Sequence, residues 1–96
     1  MQMLKIHVFI SGLVQGVSYR LWTQKIAQSL ILSGWVKNLV DGRVEAVFVG
    51  KKNKIEKVIE FLYQGPFASQ VEKVEVVEKE KIQTDPFRGE FTILSS

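Results

Sequence analysis

The chain predicts an α+β protein of the ferredoxin-like type, a βαββαβ sandwich with two helices on one face of a mostly antiparallel sheet of four to five strands. Period-two hydrophobic runs at 4–10, 44–49 and 71–82, with a further strand-like stretch at 35–40, mark strands, and stripes of helical spacing between them mark two helices. Asp41-Gly42, between the second and third runs, is the preferred two-residue hairpin turn because both positions tolerate φ > 0. This is the element order of a split βαβ fold, and right-handed crossovers put the first and third strands side by side at the sheet centre.

In the first strand Leu4, Ile6, Val8 and Ile10 alternate with Lys5, His7 and Phe9. His7 falls on the opposite parity from the aliphatic set and reads as an exposed or edge-lining strand residue rather than a catalytic base. Ser18 stands where an N-cap is expected. Trp22, Ile26 and Leu30 then recur at four-residue spacing beside Ala27 and Ile31, which predicts a helix over 19–32 capped by Gly34. In the third strand Val44, Ala46 and Phe48 share one face and Glu45, Val47 and Val49 the other, with Gly50 ending the run. Asn53 and Glu56 resemble a capping box, and Ile55, Val58, Ile59 and Leu62 form the stripe of a second helix that stops at Gly65-Pro66. From 71 to 82 valines give way to alternating glutamate and lysine, a solvated far end that discourages pairing with other chains. Asp85-Pro86 marks a turn and 90–94 a short last strand, while Trp22 and Trp35 read as packing residues.

A chain of 96 residues is the size of one domain, 1–96, able to bury a core without disulfide or metal staples. It contains no cysteine and one histidine, which excludes thiol nucleophiles, disulfide frameworks and the common metal clusters. The net charge of +3 is mild and the lysines are spread among glutamates, a balance suited to small anions rather than to a long phosphate backbone. Lys5 and His7 interrupt the first apolar run and no stretch reaches membrane-spanning length, so the expected location is the cytoplasm.

The chemistry is expected in Gly12-Leu13-Val14-Gln15-Gly16-Val17-Ser18-Tyr19-Arg20, a loop leading from strand to helix. Backbone N–H groups at a helix start lack intrahelical partners and sit at the positive end of the helix dipole, a ready anion site. Gly12 and Gly16 are expected to let the backbone approach a ligand, and the planar guanidinium of Arg20 can grip two oxygens at once. The loop is neither a Walker motif nor a dinucleotide fingerprint. Asn38 is polar within an otherwise apolar stretch, where strand propensity disfavours it. It reads either as a satisfied edge residue or as an amide that aims a water, since an amide cannot take a proton at neutral pH.

The first of these motifs, together with Gly34-Trp35-Val36-Lys37-Asn38, Gly42-Arg43-Val44 and Gly50, resembles the two signatures of the acylphosphatase family. Gly65-Pro66 and Phe87-Arg88-Gly89-Glu90-Phe91 also fit the family's pattern, so the resemblance covers the whole chain. It implies the ferredoxin-like fold and hydrolysis of the carboxyl–phosphate anhydride without metal or cofactor. By position it implies Arg20 and Asn38 as the catalytic pair. Gln15, Gly16, Val17, Ser18, Tyr19 and Arg20 would then bind phosphate. The chain departs from the family at Tyr19, where phenylalanine is usual, at Ile31, where glycine is common, and at Phe67, where a second proline is frequent.

The implied partner is a small-molecule acyl phosphate, with inorganic phosphate as product or inhibitor, and the expected state is a monomer bound to neither nucleic acid nor membrane. One alternative is a non-catalytic accessory domain of the same family; an unaccompanied chain with its own start methionine favours the free-standing enzyme. The other is a nucleic-acid module of the same element order, against which Phe48 is the lone aromatic of the third strand.

Overall fold

The computed structural model describes residues 2–95. Its elements are β1 (Met3–Leu13), α1 (Tyr19–Ser29), β2 (Ser33–Asn38), β3 (Val44–Gly50), α2 (Lys52–Gln64), β4 (Gln70–Ile82) and β5 (Phe91–Ile93). The strands form one sheet in the order β4-β1-β3-β2-β5. Every neighbouring pair is antiparallel except β2 and β5, which run parallel. The predicted class and the central β1–β3 pair are therefore present, with β5 as the added strand.

Register decides which side chains meet the helices. Leu4, Ile6, Val8 and Ile10 pair with Gly50, Phe48, Ala46 and Val44, and all these face the core. β2 continues the same face through Gly34, Val36 and Asn38, which pair with Phe48, Ala46 and Val44. Asn38 therefore emerges at the hairpin end of the core-facing row, on the side where the helices lie. α2 contributes Ile55, Val58 and Leu62 to this core, as its stripe predicts. In α1 the fully buried row is Tyr19, Thr23 and Ala27, while the predicted row of Trp22, Ile26 and Leu30 packs half-buried at its flank.

Opposite parity places His7 on the far face, as expected, but in a central strand rather than at an edge. Its Nε2 lies 2.6 Å from Glu45 Oε2, and its ring stands against Phe9 and Trp35. Trp22 packs on Tyr19 and against the core. β4 is one edge of the sheet, and its glutamates and lysines from Glu78 to Lys81 are exposed.

Local signals were less reliable than periodicity. Ser18 flanks α1 at φ 64° and makes no side-chain cap, and Gly34 does not cap the helix. Gly34 lies inside β2 at φ 136°, where a Cβ would stand 1.9 Å from the Val47 carbonyl oxygen, so close strand approach demands glycine. The left-handed residue after α1 is Ile31, at φ 57°. Asn53 is no N-cap either, since α2 begins at Lys52 with Lys51 as its cap residue and no side-chain bond there. The hairpin does not turn on Asp41-Gly42. Gly42 N–H donates to Leu39 O and Leu39 N–H to Arg43 O, leaving Val40, Asp41 and Gly42 as a three-residue loop with Gly42 at φ 97°.

Candidate active site

One cavity of about 370 Å³ opens where the β1–α1 loop meets the end of β2, lined by Val14, Gln15, Gly16, Ser18, Tyr19, Arg20, Leu21, Asn38 and Ile93. The residues predicted to bind phosphate all line it except Val17, whose side chain packs against the core. The two predicted catalytic residues, Arg20 from α1 and Asn38 from β2, share it.

The loop owes its shape to two residues in the left-handed region, Gly16 at φ 75° and Ser18 at φ 64°. A Cβ on Gly16 would meet nothing within 4 Å, so the constraint there is the backbone conformation itself. Gly12 serves a different purpose from the one expected. It lies at a register shift between β1 and β4, where a Cβ would stand 2.2 Å from the Gln70 carbonyl oxygen, so it permits strand approach rather than ligand approach.

The start of α1 is electropositive by construction. Its first intrahelical bond runs from Trp22 N–H to Ser18 O, which leaves the amides of Tyr19, Arg20 and Leu21 without helical partners. Because Ser18 makes no side-chain cap, its hydroxyl does not occupy them. The first turn carries no acidic residue, and among the described residues Arg20 has no carboxylate within ion-pair distance. Helix dipole, free N–H groups and guanidinium therefore face the cavity unneutralised, the arrangement an oxyanion requires.

Asn38 brings the opposite kind of group. Its Oδ1 is buried without a hydrogen-bond partner among the described residues, and the same holds for Thr23 Oγ1 on the buried row of α1. Buried polar atoms are almost always paired, so unpaired ones concentrate attention on a site. The Tyr19 hydroxyl is engaged within the fold: it donates to the Leu62 carbonyl at 2.7 Å, near the C-terminus of α2. Burial pushes this phenol above its ordinary range, so it remains a protonated donor throughout the physiological range.

Sequence reading missed Leu21, Ile93 and Val14 as lining residues. Leu21 carried a signal, an apolar residue directly after the arginine and off the stripe of Trp22, Ile26 and Leu30. Ile93 carried none, because its place depends on the parallel pairing of β5 with β2.

Fold and cavity together define an α+β domain of ferredoxin-like topology with an anion-directed pocket at the start of its first helix. A family model described as Acylphosphatase matches residues 6–93. An acylphosphatase of Chloroflexus aurantiacus is 53% identical over 76 residues, 79% of this chain and 83% of that protein. One of Syntrophobacter fumaroxidans is 47% identical over 87 residues, 91% of this chain and 84% of that protein. The solved structure of an acylphosphatase from Coxiella burnetii is similar with a TM-score of 0.84 and 38% identity, covering 96% of this chain and 93% of that chain. The chain belongs to the acylphosphatase family, and hydrolysis of acyl phosphates is its enzymatic function.

Proposed function

We propose that this hydrolysis is divided between two kinds of group, an anion cradle and a water-orienting amide. Arg20 and the backbone amides of Gln15 to Tyr19 hold the phosphoryl oxygens and balance their charge. The Asn38 amide holds a water behind phosphorus, opposite the leaving carboxylate. The water oxygen bonds to phosphorus as the P–O bond to the acyl group breaks, and that electron pair leaves with the carboxylate. The water's proton passes to a phosphoryl oxygen. A carboxylate leaves readily, so positioning and charge stabilisation suffice without a general base. The observation that carries this reading is the unneutralised start of α1 meeting Asn38 across one cavity.

The test is phosphate release from an aryl acyl phosphate in chelator-containing buffer. Asn38→Ala is expected to lower kcat by about 10²- to 10³-fold and to leave inhibition by inorganic phosphate near wild type. Arg20→Lys is expected to weaken phosphate inhibition roughly tenfold or more as well as turnover, because a point charge cannot replace the fork. Equal loss of phosphate binding in the two variants would refute the division of roles. We also read the chain as a single domain, 1–96, acting as a cytoplasmic monomer on a small acyl phosphate without nucleic-acid partners. Sedimentation at micromolar concentration tests the oligomeric state.

A further inference from the structure

The side chain of Gln15 bonds outside the loop that carries it. Its Nε2 donates to the carbonyl oxygens of Leu39 at 2.7 Å and Arg43 at 2.9 Å. These two residues close the β2–β3 hairpin, and each carbonyl already accepts once, from Gly42 N–H and from Leu39 N–H respectively. A carbonyl oxygen has two lone pairs and a primary amide two N–H donors, so the side chain completes both acceptors at once. With carbonyls as both partners, the NH₂ end of the amide must face them, which fixes its orientation on chemical grounds.

The position of this bridge matters because Asn38 is weakly held by the sheet. β5 pairs with β2 only from Gly34 to Val36, so at Asn38 the sheet continues on one side alone, through Val44. Leu39 and Arg43 are the residues directly beyond those two strand ends. Gln15 thus grips both strands one position beyond the Asn38–Val44 pair, from within the anion loop.

We propose that Gln15 is a positioning residue for the reaction: by bridging the Leu39 and Arg43 carbonyls it fixes the distance between the anion loop and Asn38. The inference rests on the role given to Asn38 above, and the test separates the two. Gln15→Met keeps the length of the side chain and removes both donors. It is expected to lower kcat about 10- to 100-fold, the penalty of a misplacement near 1 Å, with phosphate inhibition close to wild type. In the Asn38→Ala background the same change is expected to cost nothing further in kcat, because the group it positions is gone.

Equal kcat losses in the two backgrounds would overturn the inference, as would wild-type kinetics in Gln15→Met or a loss confined to phosphate binding. Full turnover by Asn38→Ala alone would refute the role of Asn38, and the inference with it, before Gln15 is altered. Gln15→Glu gives a second readout at constant shape. Its ionised carboxyl faces two carbonyl oxygens and cannot donate, whereas the protonated form regains one donor. The kcat deficit of Gln15→Glu relative to wild type is therefore expected to shrink as pH falls. A deficit independent of pH would overturn the bridge as its cause.

Discussion

Ile31 holds the end of α1 in a conformation that β-branched residues rarely adopt. Leu32 N–H donates to Ala27 O and Ile31 N–H to Gln28 O, the paired bonds of a Schellman cap, with Ile31 in the left-handed position at φ 57° and 85% exposed. A left-handed L-residue costs about 1–2 kcal/mol, and glycine escapes that cost while adding chain entropy of about 0.5–1 kcal/mol to the unfolded state. Ile31→Gly is therefore expected to stabilise the fold by up to about 1 kcal/mol, read as a higher Tm with unchanged kcat. Tyr19 sets the opposite case. Tyr19→Phe leaves the Leu62 carbonyl without its donor and is expected to cost about 1–3 kcal/mol in denaturant titration, even though phenylalanine is usual in the family at that place. Arg20 and Asn38, paired at the sequence level by the family resemblance rather than by residue type alone, line one cavity in the structure. The sequence misplaced the cap, because glycine is the expected cap residue and Gly34 was near enough to claim the role.

At the scale of elements, α2 starts poorly. Lys51 occupies its N-cap, Lys52 and Lys54 follow in the first turn, and no acidic residue opposes the positive end of the dipole. Lys51→Asp supplies an acceptor to the first-turn amides and reverses a charge there, an expected gain of about 0.5–2 kcal/mol by equilibrium unfolding. Periodicity made the existence, type and buried face of β1, β3 and α2 legible, since burial imposes those patterns directly. Element ends were less legible. They depend on single backbone conformations, as at Ser18 and Gly42, and on partners distant in sequence. The Gln15 bridge spans 24 and 28 residues to its two acceptors, and no local pattern announces which carbonyls a side chain will find.

At the scale of the whole molecule, the closing segment before β5 is tied down by Asp85, whose Oδ1 accepts from Phe87 N–H and Oδ2 from Gly89 N–H, each at 2.8 Å. Partial burial pushes this carboxyl up, but the hydrogen bonds from the Phe87 and Gly89 amides, helped by the nearby Ser33 hydroxyl, outweigh it and leave it below its ordinary value. A depressed carboxyl contributes stability that is present above its unfolded value of about 3.9 and is lost as pH falls through the folded value. The Tm difference between wild type and Asp85→Asn is expected to be largest at neutral pH and to narrow below about pH 4. Because β5 lies beside β2 and carries Ile93 into the cavity, loss of this anchor is also expected to raise KM at acid pH.

The central place of β1 also governs the order of events in folding. β1, made before both its partners, pairs with β3 on one side and with β4 on the other, so Met3 waits for Ile82 and Leu4 for Gly50. Few of these pairings are local in sequence, and loop closure must precede the contacts that reward it. Refolding from denaturant is therefore expected on the slower, millisecond-to-second side for a chain of this length, with β4 the last strand to dock. On the ribosome the anion loop and Asn38 are both synthesised well before β4 and β5 can complete the sheet, so a nascent chain carries every proposed catalytic group before it has the scaffold that brings them together.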